Sequence, residues 1–272
     1  MLFKMTESNT LISFNLSVSN KDFLKKSTLG FQIIPATTNY LTANIIANYK
    51  QGSNPNILIH TSYITRIFKQ QFLLDNSKEE KIIYTYINLA RKIGTKNILI
   101  HGPCNPTEYA VFGLCLGKLI QIQKNEDVVF HIEMPSFTKA FFEEYKVDIE
   151  FIINYFDIIA NNKLKVVIDT AHAYANGMST DDINLLLKTF EKKYDYIHLN
   201  GNCKPQFTHD KHTPLTFRDD KIKDGKKILD LLSTIKGKTC ICEVVFKDWK
   251  FWQNFVKDRE LTLIDKDYFD NI

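Results

Sequence analysis

Residues 97–102 read Asn-Ile-Leu-Ile-His-Gly, three apolar residues in a row that run directly into a histidine. Successive side chains of a strand point to opposite faces, so an unbroken apolar run predicts a strand buried on both sides, as in a parallel sheet covered by helices. Working outward from Asn97–His101, the same pattern predicts strands at Ile57–His60, Val128–Glu133, Leu164–Asp169, Tyr196–Asn200 and Thr239–Val244, and earlier ones at Leu11–Val18 and Gly30–Pro35. Amphipathic helices are expected between them at Ser77–Ile93, Pro106–Gln123, Asp148–Ala160, Asp181–Phe190 and Asp224–Ile235, with a short one at Lys21–Lys26. Ser77 and Glu80 fit a capping box, Gly94 fits a helix stop, and Pro106 suits a first helical turn. Eight strands alternating with helices predict an α/β protein: a parallel (β/α)8 barrel of the TIM type, one domain over residues 1–272. An open doubly wound sheet is the alternative arrangement of the same elements.

The 272 residues suffice for such a barrel, and 44% hydrophobic with 24% charged residues is ordinary for a globular protein. No stretch approaches the roughly 18 apolar residues of a membrane span, and Met1–Thr10 is mixed and polar with no apolar signal core, so an intracellular location, cytoplasmic or nuclear, is expected. Five scattered cysteines (Cys104, Cys115, Cys203, Cys240, Cys242) form no Cys-x-x-Cys pair and suit a reducing compartment. A formal charge of +4 permits a polyanionic partner without requiring one.

Function is read from what ends each strand. Four apolar runs finish on a metal-competent side chain, in Ile59-His60, Ile100-His101, Ile132-Glu133 and Ile168-Asp169. His198 and Glu243 stand near the ends of two more. In a parallel barrel all carboxyl ends open on one face, so these six groups are expected to converge. His172, Asp210 and His212 follow just beyond strands. A mixed histidine and carboxylate set suits zinc, manganese or iron, and nine ligands suggest two or three ions with bridging carboxylates. Five of the seven histidines fall at or just past a strand end; His131 is expected to be structural, and His209 to support the site or contact phosphate.

These residues resemble the endonuclease IV family of apurinic/apyrimidinic endonucleases, over roughly Gly30 to Glu243. The most specific segment is Asp169-Thr170-Ala171-His172 followed at Gly177, similar to the family's Asp-Thr-x-His-x-x-x-x-Gly signature. His198-Leu199-Asn200 with Asp210-Lys211-His212 resembles its His-Leu-Asn and Asp-Arg-His pair, and His60-Thr61-Ser62-Tyr63 its His-x-x-Tyr. His101-Gly102 and Ile132-Glu133-Met134-Pro135 also match ligand positions. The chain departs from the pattern at Gly201 (aspartate in the family), Lys211 (arginine) and Val244-Val245 (Thr-Pro), and no Gly-x-His is found in the first strand.

The resemblance implies three zinc ions, with manganese at one or more positions as a variant. His60, His101 and Glu133 would hold the first; Asp169, His198 and Glu243 the second, bridged by Glu133; His172, Asp210 and His212 the third. Glu133 and Glu243 would be catalytic, and Tyr63 and Ile64 would enter the minor groove beside the lesion. Arg66, Lys69, Lys204 and Arg218 are candidates for phosphate contacts. The expected partner is double-stranded DNA with abasic sites, cut by a monomer on the 5′ side of the lesion. Two rivals stand against this reading: a metal-dependent sugar isomerase or epimerase on the same barrel, and a non-catalytic DNA-binding or scaffold protein descended from the enzyme.

Overall fold

Strand parity decides what each side chain meets. The computed structural model describes residues 3–5, 11–16, 32–33, 58–62, 65–213, 215, 220–235, 238–243 and 261–263. Eight parallel strands form the ring: β2 (Leu11–Leu16), β3 (Gln32–Ile33), β4 (Leu58–His60), β5 (Asn97–His101), β6 (Val129–Glu133), β7 (Lys165–Asp169), β8 (Tyr196–His198) and β11 (Thr239–Cys242). Each pairs with the next, and β11 pairs back onto β2 from Thr239↔Leu11 to Cys242↔Phe14, so the ring closes. The open doubly wound sheet is thereby excluded. Two features were not expected. β1 (Phe3–Met5) lies antiparallel to both β2 and β12 (Leu261–Leu263), and β9 (Gly201–Asn202) pairs antiparallel with β10 (His212–Thr213).

Alternate residues separate into an outer and an inner set. Ile98, Ile100, Phe130, Ile132, Val166, Ile168 and Ile197 pack outward among the helices, in one large core with Ile83, Leu119 and Ile159. Leu58, Leu99, Val167, Tyr196 and Ile241 form a separate apolar plug inside the ring. Because both faces are apolar at these levels, the strands read as continuous runs. Two residues further along each strand, the same inward parity presents His60, His101, Asp169, His198 and Glu243.

The described helices are α1 (Lys78–Ile93), α2 (Pro106–Ala110), α3 (Phe112–Glu126), α4 (Lys139–Glu144), α5 (Ile149–Asn161), α6 (Thr170–Ala175), α7 (Thr180–Thr189) and α8 (Gly225–Thr234). Ser77 Oγ accepts the Glu80 N–H as expected, but the full reciprocal box is made by Ser179 and Asp182 at α7. Gly94 ends α1 in the left-handed conformation at φ 78°. The single helix expected at Pro106–Gln123 is broken at Val111 into α2 and α3. The expected helix at Lys21–Lys26 lies outside the described residues.

Candidate metal centre

The centre is built from strand ends plus one helix start and one loop. Asp169 closes β7 and is also the N-cap of α6: its Oδ1 accepts the Ala171 and His172 N–H groups at 2.7 and 3.0 Å. The cap leaves Oδ2 facing inward and swings His172, one turn on, over the same mouth. That is why the Asp-x-x-His spacing yields two neighbouring candidate ligands. Asp210 reaches the mouth from the 203–211 loop and His212 from the start of β10 just after it; the neck of the loop is closed by the β9–β10 pair and by Cys203 N–H donating to Lys211 O at 3.1 Å.

All nine sequence-expected ligands meet there. Glu133, fully buried, sits at the middle. Its Oε2 is 3.3 Å from His101 Nε2 and 3.5 Å from His60 Nε2; its Oε1 is 2.7 Å from His198 Nδ1 and 3.4 Å from His172 Nδ1. Glu243 stands 3.7 Å from His60 through Oε1, and through Oε2 3.4 Å from His198 and 3.6 Å from His212. Asp169 Oδ2 is 3.6 Å from His198 and 3.7 Å from His212. Asp210 Oδ2 lies 3.0 Å from His212 and 3.6 Å from His172.

Most of these separations are too long for hydrogen bonds, yet atoms about 2.1 Å from one tetrahedral ion lie about 3.4 Å apart. The donor set therefore fits divalent cations. Among the described residues, ligand atoms within 4.8 Å of one another form four overlapping groups: His60/His101/Glu133, His60/His198/Glu243, Glu133/Asp169/His198/Glu243 and Asp169/His172/His212. The first and third match the expected first and second sets. In the last, Asp169 takes the place expected for Asp210, which touches the same two histidines from the solvent side.

Three histidines have one ring nitrogen committed to a carbonyl oxygen, which can only accept. His60 Nδ1–H donates to Thr61 O at 2.7 Å, His172 Nδ1–H to Met134 O at 2.9 Å, and His198 Nε2–H to Gln32 Oε1 at 2.9 Å. The opposite nitrogen of each then faces carboxylates, the arrangement by which outer partners orient metal-binding histidines. Gln32 was not singled out from the sequence. It is fully buried, and its Nε2 donates to Glu243 Oε1 at 2.6 Å, which fixes its amide orientation. Asn200 acts similarly: its Nδ2 donates to Asp169 Oδ2 at 2.8 Å and its Oδ1 accepts the Glu243 N–H at 2.9 Å.

The charges are mutually arranged. Burial would raise the Glu133 carboxyl, but His198 and His101 hold it well below its usual range. Asp169 and Asp210 are likewise lowered against burial, the first by the charges of His172 and His212, the second mainly by hydrogen bonds from them. Burial works to lower His198 and His172, yet Glu243 and Glu133 around the first, and Asp169 around the second, raise both well above the ordinary value. His101 differs: burial brings it down to about 3, which leaves it neutral and ready as a ligand.

The remaining expectations divide. His131 is structural, as expected: it is buried below Glu133, with Nε2 3.1 Å from Asn97 Oδ1 and its ring edge-on to Tyr196. His209 and Lys69 are exposed, and Arg66 is half-exposed with Nη1 3.4 Å from Glu108. Tyr63, Ile64 and Arg218 lie outside the described residues.

Comparison with known proteins places this geometry. The sequence profile of a family described as "Xylose isomerase-like TIM barrel" matches residues 56–257. No curated protein matches by sequence. Among solved structures, endonuclease IV from Thermus thermophilus is similar at a TM-score of 0.62 and 18% identity, over 90% of this chain and 96% of that one. A xylose isomerase domain containing protein from Salmonella typhimurium gives 0.60 and 12%, over 92% and 94%. The 3-keto-D-glucoside 4-epimerase from E. coli gives 0.58 and 10%, over 92% and 98%. At these identities the likeness establishes the fold alone.

Proposed function

We propose a function from one premise: the chain belongs to the xylose isomerase-like TIM barrel family. The ring does not choose a chemistry, because an endonuclease and a sugar epimerase both resemble it. The site favours a DNA repair endonuclease that hydrolyses the phosphodiester 5′ to an abasic nucleotide in duplex DNA, leaving a 3′-hydroxyl and a 5′-deoxyribose phosphate. The observation that carries this reading is the extra group outside the eight ring strands, His172 against Asp210 and His212, packed onto the strand-end set. A sugar isomerase or epimerase, which works with one or two ions, has no evident use for it.

Divalent cations, zinc foremost with manganese as a variant, would supply charge neutralisation at the phosphate and a water acidic enough to attack at neutral pH. His60, His101 and Glu133 would hold one, Asp169, His198 and Glu243 with Glu133 a second, and His172, Asp210 and His212 a third. Glu133 and Glu243 are assigned the catalytic roles. Each carboxylate touches histidines of all three ligand groups, so each sets the spacing on which in-line attack depends. An abasic nucleotide, without stacking or pairing, is the cheapest to rotate into a pocket, with Tyr63 and Ile64 filling the gap it leaves.

The test is a duplex carrying one tetrahydrofuran abasic analogue. The expected result is a single nick on its 5′ side, abolished by strong chelation and by Glu133→Ala, with about three ions bound per chain. An intact duplex, together with one ion or two and interconversion of a ketose with its epimer, would replace this reading with the sugar isomerase.

A further inference from the structure

Gly201 is buried, and a Cβ there would stand 2.7 Å from Asp220 Cγ and 2.8 Å from both of its carboxylate oxygens. No real Cβ tolerates this, so the glycine is what allows the Asp220 carboxylate to sit against the backbone. Position 201 is where the resembling family carries aspartate. In this chain a carboxylate from position 220 stands where a side chain at 201 would begin.

Its contacts lead to the ligands. Asp220 Oδ1 accepts the N–H of Asn202 at 3.0 Å and of Ile222 at 2.9 Å, and Lys221 N–H donates to Asn202 O at 2.7 Å. Asn202 is fully buried, and its side-chain Oδ1 accepts the Lys204 and Lys211 N–H groups at 2.9 and 3.2 Å. Those two amides lie at either side of the neck of the loop that carries Asp210. Asn202 also stands opposite His212 in the β9–β10 pair. A continuous hydrogen-bonded path thus runs from Asp220 through Asn202 to the Asp210-Lys211-His212 segment.

We propose that Asp220 is a positioning residue for the third ligand group: seated against Gly201, it fixes Asn202 and thereby holds Asp210 and His212 where they meet His172. The inference rests on the metal-centre reading above, but not on the identity of the substrate. Loss of an outer partner commonly lowers metal affinity 10- to 100-fold, and here the loss falls on one ion of the set.

The experiment uses the full chain, with zinc loading measured by chelator competition and amide hydrogen exchange measured on the metal-free protein. Asp220→Ala is expected to weaken one zinc of the set at least tenfold while the remaining ions stay, and to speed exchange at Lys204 and Lys211. Asp220→Asn, which keeps an accepting oxygen, should restore most of both. Gly201→Ala should reproduce the Asp220→Ala defect, whereas Gly201→Asp combined with Asp220→Gly, which moves the carboxylate back, should bind zinc better than either single variant. Unchanged zinc affinity in Asp220→Ala, equal loss of all ions, or no recovery in the swapped variant would each overturn the proposal. Failure to nick DNA with full zinc loading would instead count against the endonuclease reading and leave Asp220 in place.

Discussion

Replacing Gln32 by leucine should weaken the metal centre without hollowing the barrel. Leucine has nearly the volume of glutamine, so the perturbation is chemical. Two hydrogen bonds go: Gln32 Nε2 to Glu243 Oε1 at 2.6 Å, and His198 Nε2 to Gln32 Oε1 at 2.9 Å. The first is charge-assisted, of a kind worth about 1.5–3 kcal/mol, and the second leaves a buried N–H without its acceptor at a cost of about 1–3 kcal/mol. Part of that penalty is present with or without cations and cancels from the affinity. What remains is the loss of orientation. Gln32 Oε1 keeps the His198 proton on Nε2, so that Nδ1 faces Glu133, Asp169 and Glu243. Without it the ring turns and changes tautomer more freely, and a 10- to 100-fold drop in zinc affinity follows, about 1.4–2.7 kcal/mol. Chelator competition measures this directly. Ile98→Val, an outward-facing core change costing about 0.5–1.5 kcal/mol of stability, serves as the control and should leave affinity untouched. Gln32→Leu affinity within twofold of the parent would refute the tautomer argument.

Two more outcomes follow from buried groups beside the centre. Burial brings His131 down to about 3, so the folded protein keeps it neutral while the unfolded chain takes up a proton below about pH 6.5. Its contribution is therefore whole above that pH and is lost as pH falls towards 3, at about 1.4 kcal/mol per unit. In urea melts of metal-free protein the stability gap between parent and His131→Gln should move by about 2 kcal/mol against the parent from pH 7 to pH 5; a gap independent of pH would contradict a neutral His131. Gly102→Ala would bring a Cβ to 1.8 Å from the Tyr155 hydroxyl and 2.9 Å from Glu133 O. Overpacking of this kind costs about 1–3 kcal/mol, and Tyr155→Phe should recover part of the lost melting temperature.

Six ring strands, β4 to β8 and β11, were legible because the inner plug and the outer core are both apolar there, so each run stood out whole. The candidate ligands were legible as a set, because histidines and carboxylates recur at the inward carboxyl ends of several such runs. Gln32 was not. In isolation a glutamine in a strand reads as a solvent-facing residue, and its partners lie 166 and 211 positions away. The break at Val111 turns on a single residue, which hydrophobic periodicity does not register. α6 is one and a half turns of mostly small side chains, set by the Asp169 cap rather than by an apolar stripe. The β1–β12 pairing joins residues about 260 positions apart with no local signal in either segment.

Charge connects the number of cations to the kind of substrate. The centre holds four carboxylates, Glu133, Asp169, Asp210 and Glu243, all within 4 Å of histidine nitrogens. With every group filled the histidines are neutral ligands, so the side chains of the centre carry four negative charges. Three cations leave a surplus of two positive charges in a site whose inner groups are almost wholly shielded from solvent. Burying that surplus uncompensated would cost several kcal/mol. A phosphodiester supplies one negative charge and an attacking hydroxide the other. On the three-cation reading proposed above, the His172–Asp210–His212 group is therefore more than one additional binding position: filling it would leave the pocket suited to an anion.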